Sequence, residues 1–275
     1  MDAMMAAEPA PAAQARLEAV LEGCAPLAVA VSGGVDSLTL AWIAHRRLGA
    51  RAAMFHAVSP AVPPEATART EALARAEGWS LSVFDAGEFA DPAYRDNPVN
   101  RCFFCKRSLY GAIAARTRWQ IVSGTNRDDL GEYRPGLDAA AAADVRHPYV
   151  EAGIDKPTLR AIAAAGGLGA IAALPAAPCL ASRIETGLRV EPRLLRVIHA
   201  AERLLDEAIA PGAVRCRLRA GAVVIELDEP TLAGLDADAR AAWQARLGPL
   251  LAGAGLALPV RFAPYRVGSA FLRSA

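Results

Sequence analysis

The hexapeptide Ser32-Gly33-Gly34-Val35-Asp36-Ser37 lies between a compact apolar run, Leu27 to Val31, and a stretch of helical character that reaches Leu48. At a strand-to-helix turn, backbone N–H groups and the positive end of the helix converge where an anion can sit. Gly33 and Gly34 permit positive φ and a close approach to phosphate. Ser32 and Ser37 bring hydroxyl donors, and Ser37 is expected to cap the helix as well. Asp36 is unusual beside an anion, but it suits a Mg²⁺ ion that offsets the charge of a triphosphate. The string lacks the Gly-Lys-Ser/Thr of a Walker A loop. A second polar segment, Ser123-Gly124-Thr125-Asn126-Arg127-Asp128-Asp129, follows the apolar pair Ile121-Val122. It is expected at the same sheet edge, where ligands bind in open α/β folds, with Gly124 and Thr125 as its candidate contacts.

The cysteines are the other reactive set. Five are present: Cys24, Cys102, Cys105, Cys179 and Cys216. An odd number argues against a disulfide framework. Cys102 and Cys105 form a CxxC, which alone fits a redox pair, half a zinc site or chance. Cys179 stands far along the chain, in Pro178-Cys179-Leu180-Ala181-Ser182-Arg183. Three thiolates leave one iron of a [4Fe–4S] cluster open to an external ligand. Zinc with three Cys and one water is the competing metal reading. Cys24 and Cys216 have no motif around them and are expected to pack as small apolar side chains. The four histidines are dispersed and form no ligand spacing.

These residues need a scaffold. Strands are expected at Leu27 to Val31, Arg51 to Val58, Leu81 to Phe84 and up to Ile121-Val122, with helices at 12–22, from the hexapeptide to Leu48, at Pro64 to Glu77 and at 103–116. That alternation predicts an α/β fold, a parallel sheet covered by helices on both faces. From Asp128 to about Gly187 the chain reads as Gly- and Pro-rich and irregular. A helix from Glu191 to Ala208, a hairpin of Val214 to Leu218 with Ala222 to Leu227, a helix over Leu235 to Leu251 and a strand from Leu256 to Phe262 predict a smaller α+β domain. The expected division is 12–187 and 188–275.

Composition narrows the partners. Of the 275 residues, 53% are apolar and 21% charged, enough to bury a core, and the net charge is +1 with no basic run longer than two. No nucleic acid partner is indicated. Met1 to Ala13 lacks the basic and apolar regions of a signal peptide. The uncharged stretch Ala161 to Ala181 is broken by Gly166, Gly167, Gly169, Pro175 and Pro178, so a membrane span is not expected. A cytoplasmic protein is the default.

The hexapeptide resembles the SGGxDS PP-loop of N-type ATP pyrophosphatases, which implies cleavage between the α- and β-phosphates of ATP and adenylylation of a substrate. The strings NPxNRCFFCK, SGTNRDD, EYRPGL, CLASRI and VRCRL follow in order. Together they resemble the LarE sulfur transferases, from about residue 25 to Tyr265-Arg266-Val267-Gly268-Ser269. The resemblance implies an enzyme that converts carboxylates of a pyridinium mononucleotide to thiocarboxylates, on the way to a nickel-pincer cofactor. It implies Cys179 as the sulfur-bearing residue: either sacrificed to dehydroalanine or, with Cys102 and Cys105, a ligand of a [4Fe–4S] cluster that carries an extra sulfide. The CxxC favours the cluster. Arg215 and Arg217 match a pair that grips the substrate phosphate; at i and i+2 on a strand they share a face. Glu226 matches an acid near the site, and a homo-oligomer is expected.

The chain departs from the family before Cys179, where Ala170-Ile171-Ala172-Ala173-Leu174-Pro175-Ala176-Ala177-Pro178 stands in place of a Trp-Asp-Lys-Pro-like string. It departs again at Ile184-Glu185-Thr186-Gly187 and at Gly131. Three other readings compete: a PP-loop tRNA thiolase, an amide-forming PP-loop ligase, and a non-catalytic nucleotide-binding homologue.

Overall fold

A computed structural model describes residues 10–131 and 133–266. Residues 1–9, Glu132 and 267–275 lie outside the described residues, and with them Val267-Gly268-Ser269 of the last resembling string. The described residues form two compact units, those within Met1–Glu88 and Cys102–Ala177, and those within Phe89–Arg101 and Pro178–Ala275.

The first unit holds a parallel sheet of β1 (Leu27–Ala30), β2 (Ala52–Val58), β3 (Ser80–Asp85) and β4 (Gln120–Ser123), in the order β3-β2-β1-β4. Strand β1 is buried along its whole length. Leu27 and Val29 join a core with Leu17, Leu21 and Leu38, while Ala28 and Ala30 join another with Phe55, Tyr110 and Ile113. An unbroken apolar strand is the signature of a sheet covered on both faces. The covering helices include α1 (Ala10–Cys24), α2 (Val35–Leu48), α3 (Pro64–Glu77) and α4 (Arg101–Ala114). The chain steps from β1 to β2 to β3 in one direction, and β4 then pairs with the opposite side of β1. That reversal is a topological switch point, where loops at the carboxyl ends of adjacent strands diverge and leave a crevice. The two loops there are the ones that follow β1 and β4.

The stretch expected to be irregular contains a ten-residue helix, α5 (Lys156–Ala165). Its alanines favour helix, and Asp155 caps it by accepting the Thr158 N–H at 2.9 Å. Among the described residues no helix is long and apolar enough to cross a membrane.

The second unit has a three-stranded sheet in the order β5 (Val214–Arg219), β6 (Ala222–Leu227), β7 (Val260–Pro264), with β5 and β6 antiparallel and β6 and β7 parallel. Helices α6 (Pro192–Ile209) and α7 (Ala237–Gly253) accompany it. Leu194, Leu195, Ile198, Ala201 and Leu205 form the buried stripe of α6. Strand β7 starts later than expected; Pro259, just before it, has no N–H to give to a ladder.

Candidate functional site

The loop after β1 is closed by its own serines. The Ser37 hydroxyl accepts the Ser32 N–H at 3.0 Å, lies 3.1 Å from the Ser32 hydroxyl, and donates to the Gly34 carbonyl at 3.1 Å. Ser37 therefore does not cap α2 as expected. It sits inside the first turn, and the N-cap is Gly34, with no side-chain cap. The first-turn N–H groups of a helix lack intrahelical acceptors, so an uncapped start leaves them to an anion. Gly33 has φ +82°, and a Cβ there would fall 2.6 Å from the Ala66 carbonyl oxygen. Arg69 on α3 donates to the Gly33 carbonyl at 2.6 Å, which fixes the loop from the other side.

The loop after β4 packs directly on this turn. A Cβ on Gly124 would come within 2.9 Å of the Ser37 nitrogen and 3.0 Å of the Asp36 carbonyl carbon. Only glycine lets the two backbones approach so closely. Thr125, next along, has its hydroxyl 3.1 Å from that of Ser123, which in turn lies 2.9 Å from Nδ1 of His147. Burial lowers the His147 pKa from its ordinary value, so the neutral ring is favoured.

Asp36 is the focus of the first unit. Asn126, 2% exposed, donates to its Oδ1 at 3.1 Å, and the Lys156 ammonium lies 2.6 Å from the same oxygen. The Tyr149 hydroxyl donates to the Asp36 backbone carbonyl at 3.0 Å. Burial, with the Asp36 charge adding, pushes the Tyr149 phenol well above its ordinary value and keeps it a donor. Asp128 accepts the Lys156 N–H at 3.0 Å, and Asp129 accepts that of Asn126 at 3.0 Å and pairs with Arg134 at 2.8 Å. Asp36 is legible in the sequence from its loop; Lys156, 120 residues later, is not. One local signal points to it: Lys156 opens a helix, where the macrodipole disfavours a cation, so an anion beside it is favourable.

In the second unit, Cys179 is exposed and immediately precedes a 3₁₀ turn, Leu180–Arg183. Two buried arginines hold that turn. Arg183, 5% exposed, grips Glu202 of α6 with Nε and Nη2 at 3.0 and 3.1 Å, and donates to the Pro178 carbonyl at 2.7 Å. Glu202 also accepts the Cys216 N–H of β5 at 2.8 Å. Arg217 pairs with Glu226 at 2.7 Å and donates to the Ser182 carbonyl at 3.0 Å. Arg219 approaches Glu226 at 3.5 Å. Arg215 lies on the same face of β5 as Arg217, with its guanidinium over the Tyr265 ring at 5.4 Å. Burial, and then the charge of Arg183, lower the Arg215 pKa from its ordinary value. An anion placed against it would relieve both.

The first half of the NPxNRCFFCK string, Asn97 to Arg101, belongs to this unit. Asn97 is fully buried with φ +56°, a conformation asparagine tolerates. Its amide donates to the carbonyls of Ile184, Glu185 and Leu188 at 3.3, 2.8 and 2.9 Å, and its Oδ1 accepts from Arg101. The second half begins the first unit's share of α4: Cys102 and Cys105 stand one turn apart there, both half-buried. Cys24 and Cys216 are buried, and burial raises both thiols. Three soft thiolate donors suit an iron–sulfur centre. Among the described residues no group of three or more His, Cys, Asp or Glu side chains is gathered as a metal site.

No family model matches the chain. It is 37% identical to an uncharacterized protein of Synechocystis sp. over 179 residues, 63% of this chain, and 28% identical to an uncharacterized protein of Methanocaldococcus jannaschii over 137 residues, 48% of this chain. The matched stretches span 66% and 53% of these relatives, under two thirds in each case. It is also 27% identical over 222 residues, 78% of this chain and 79% of the relative, to the pyridinium-3,5-bisthiocarboxylic acid mononucleotide synthase of Lactiplantibacillus plantarum.

Proposed function

We propose that this chain is an ATP-dependent, adenylate-forming sulfur transferase that acts on a carboxylate of a pyridinium mononucleotide. The carboxylate oxygen attacks the α-phosphorus of ATP, giving the acyl adenylate and pyrophosphate. A sulfide-level sulfur nucleophile then adds to the acyl carbon, and AMP departs to leave the thiocarboxylate. One observation carries this reading: the uncapped, glycine-lined loop Ser32–Ser37, with Asp36 inside it, lies at the switch point of a parallel sheet. The similarity to the Lactiplantibacillus plantarum synthase supports the substrate class.

The roles follow from chemistry. Loop N–H groups and the Ser32 hydroxyl bind the phosphates, with Gly124 and Thr125 lining the nucleotide side. Asp36 would hold Mg²⁺, which offsets phosphate charge. Arg215 takes the phosphate of the mononucleotide by a charge-assisted fork. Arg217 adds positive charge on the same face while it holds the Ser182 carbonyl, and Glu226 keeps its guanidinium oriented. Cys102, Cys105 and Cys179 would hold a [4Fe–4S] centre, which when bound supplies a replaceable sulfide. A sacrificial thiol at Cys179 alone gives no use for the CxxC.

The test is turnover of anaerobically reconstituted protein with ATP, Mg²⁺ and pyridinium-3,5-biscarboxylic acid mononucleotide. AMP and pyrophosphate are expected, with about four irons per chain and Cys179 still cysteine by intact mass. ADP and orthophosphate as primary products would overturn the adenylate reading. Loss of the elements of H₂S at Cys179, with Cys102→Ala still transferring sulfur once, would overturn the cluster and leave the sacrificial route.

A further inference from the structure

The phosphate loop has no lysine of its own, yet a lysine reaches its centre from elsewhere. Lys156 lies 120 residues after Asp36, and its ammonium contacts Asp36 Oδ1 at 2.6 Å and reaches Oδ2 as well. Neither side chain is sealed in: they are 29% and 28% exposed. The backbone of Lys156 is pinned, by Asp128 on its N–H and by the Asp155 cap of the helix it opens. The ammonium stands at the end of a flexible four-carbon stem, so the charge can move while the root stays fixed.

The two cations that Asp36 is asked to serve compete. A divalent ion needs the carboxylate oxygens that the ammonium now occupies, and two positive charges a few ångströms apart repel strongly at a partly buried site. Metal–nucleotide binding must therefore displace Lys156 from Asp36. Phosphates bound at the uncapped start of α2 would then lie within reach of the ammonium, since Asp36 is itself in the first turn of that helix. Asn126 stays on Oδ1 as a neutral donor and steadies the carboxylate through the exchange.

We propose that Lys156 is a phosphate ligand for ATP that rests on Asp36 until a metal–nucleotide complex takes its place, and so serves from outside the loop the purpose of a Walker lysine. This rests on the reading of Ser32–Ser37 as an ATP site. It makes two demands of opposite sign. Removing the ammonium takes a ligand from the nucleotide but a competitor from the metal. A lysine that only braced the fold would weaken both kinds of binding or neither.

The experiment measures Mn²⁺ binding without nucleotide by electron paramagnetic resonance, and MgATP binding by calorimetry, on the full chain, on Lys156→Met, Lys156→Arg and Asp36→Asn, and on the Asp36→Asn, Lys156→Met double variant, with circular dichroism to verify folding. For Lys156→Met, MgATP should bind about tenfold or more weakly, the scale of one charge-assisted hydrogen bond, and Mn²⁺ alone about tenfold or more tightly. Lys156→Arg, which keeps the charge, should recover much of the MgATP affinity and keep Mn²⁺ weak. Asp36→Asn should abolish the Mn²⁺ gain in the double variant. If the native chain binds MgATP and Lys156→Met binds it as well, or binds Mn²⁺ no more tightly than native, the inference fails alone. If the native chain binds no MgATP, the ATP reading fails and takes this one with it. Should Lys156→Met not fold, Lys156→Arg decides: a folded Arg variant that keeps most of the MgATP affinity with Mn²⁺ still weak bears the exchange out, and one that weakens both MgATP and Mn²⁺ binding overturns it.

Discussion

Glu202→Ala tests whether the Cys179 turn is held by buried charge. Glu202 accepts from Arg183 at 3.0 and 3.1 Å and from the Cys216 N–H at 2.8 Å. The paired side chains are 5% and 10% exposed, so water cannot replace the lost carboxylate. Removing one partner of a buried pair costs about 3–5 kcal/mol, and an orphaned backbone N–H adds about 1–3 kcal/mol. Allowing for relaxation, a loss of about 4 kcal/mol is expected, which lowers Tm by about 8–16 °C in a chain of this size. Arg183→Met with Glu202→Met should recover most of it, because two apolar side chains leave no buried charge behind, with a deficit of about 1–3 kcal/mol for the Cys216 N–H. In that double variant the Pro178 carbonyl has still lost its donor, so limited proteolysis should cut near Cys179 faster than in the native chain. Chemical denaturation and thermal melts read the first effect. A Glu202→Ala protein within about 1 kcal/mol of native would refute the reasoning, since exposed pairs contribute no more than that.

Three further outcomes are expected. Gly124→Ala should weaken MgATP binding, because its Cβ would strike the Ser37 nitrogen at 2.9 Å; forced backbone shifts cost about 1–3 kcal/mol, and unchanged affinity by calorimetry would show the loops are not in contact. Alkylation of reduced, metal-free protein followed by mass spectrometry should label exposed Cys179 first and spare Cys24 and Cys216 until unfolding, since burial raises both their thiols. His56 is fully buried, with Nδ1 on the Val31 carbonyl at 2.8 Å and Nε2 on Thr67 at 2.9 Å, and burial lowers its pKa from 6.5. The folded chain therefore prefers the neutral ring: stability is full above 6.5 and falls as pH drops below 6.5 toward the folded value. Melts from neutral pH to about pH 5 should show a shallower acid-side loss for His56→Gln than for native, with His147 keeping part of the slope; identical slopes would remove His56 from the account.

The sequence by itself determined what is local. Apolar runs, proline at helix starts and glycine at helix ends placed β1 to β4 and their helices to within a few residues, because each is specified by side chains next to one another. The hexapeptide was legible for the same reason: strand, glycines and helix are contiguous, and together they imply an anion. The helix α5 was harder, since its alanines carry no periodic contrast and Gly and Pro flank it. Tertiary structure alone decided how charges are shared. Lys156 meets Asp36 across 120 positions, Asn97 meets the carbonyls of Ile184, Glu185 and Leu188 across 87 to 91, and Arg183 meets Glu202 across 19. Periodicity could put Arg215 and Arg217 on one face of a strand. It could not tell that Arg217 is paired with Glu226 and holds the turn after Cys179. A charged side chain's task depends on which opposite charge burial leaves within reach, and that is fixed by the fold rather than by the string.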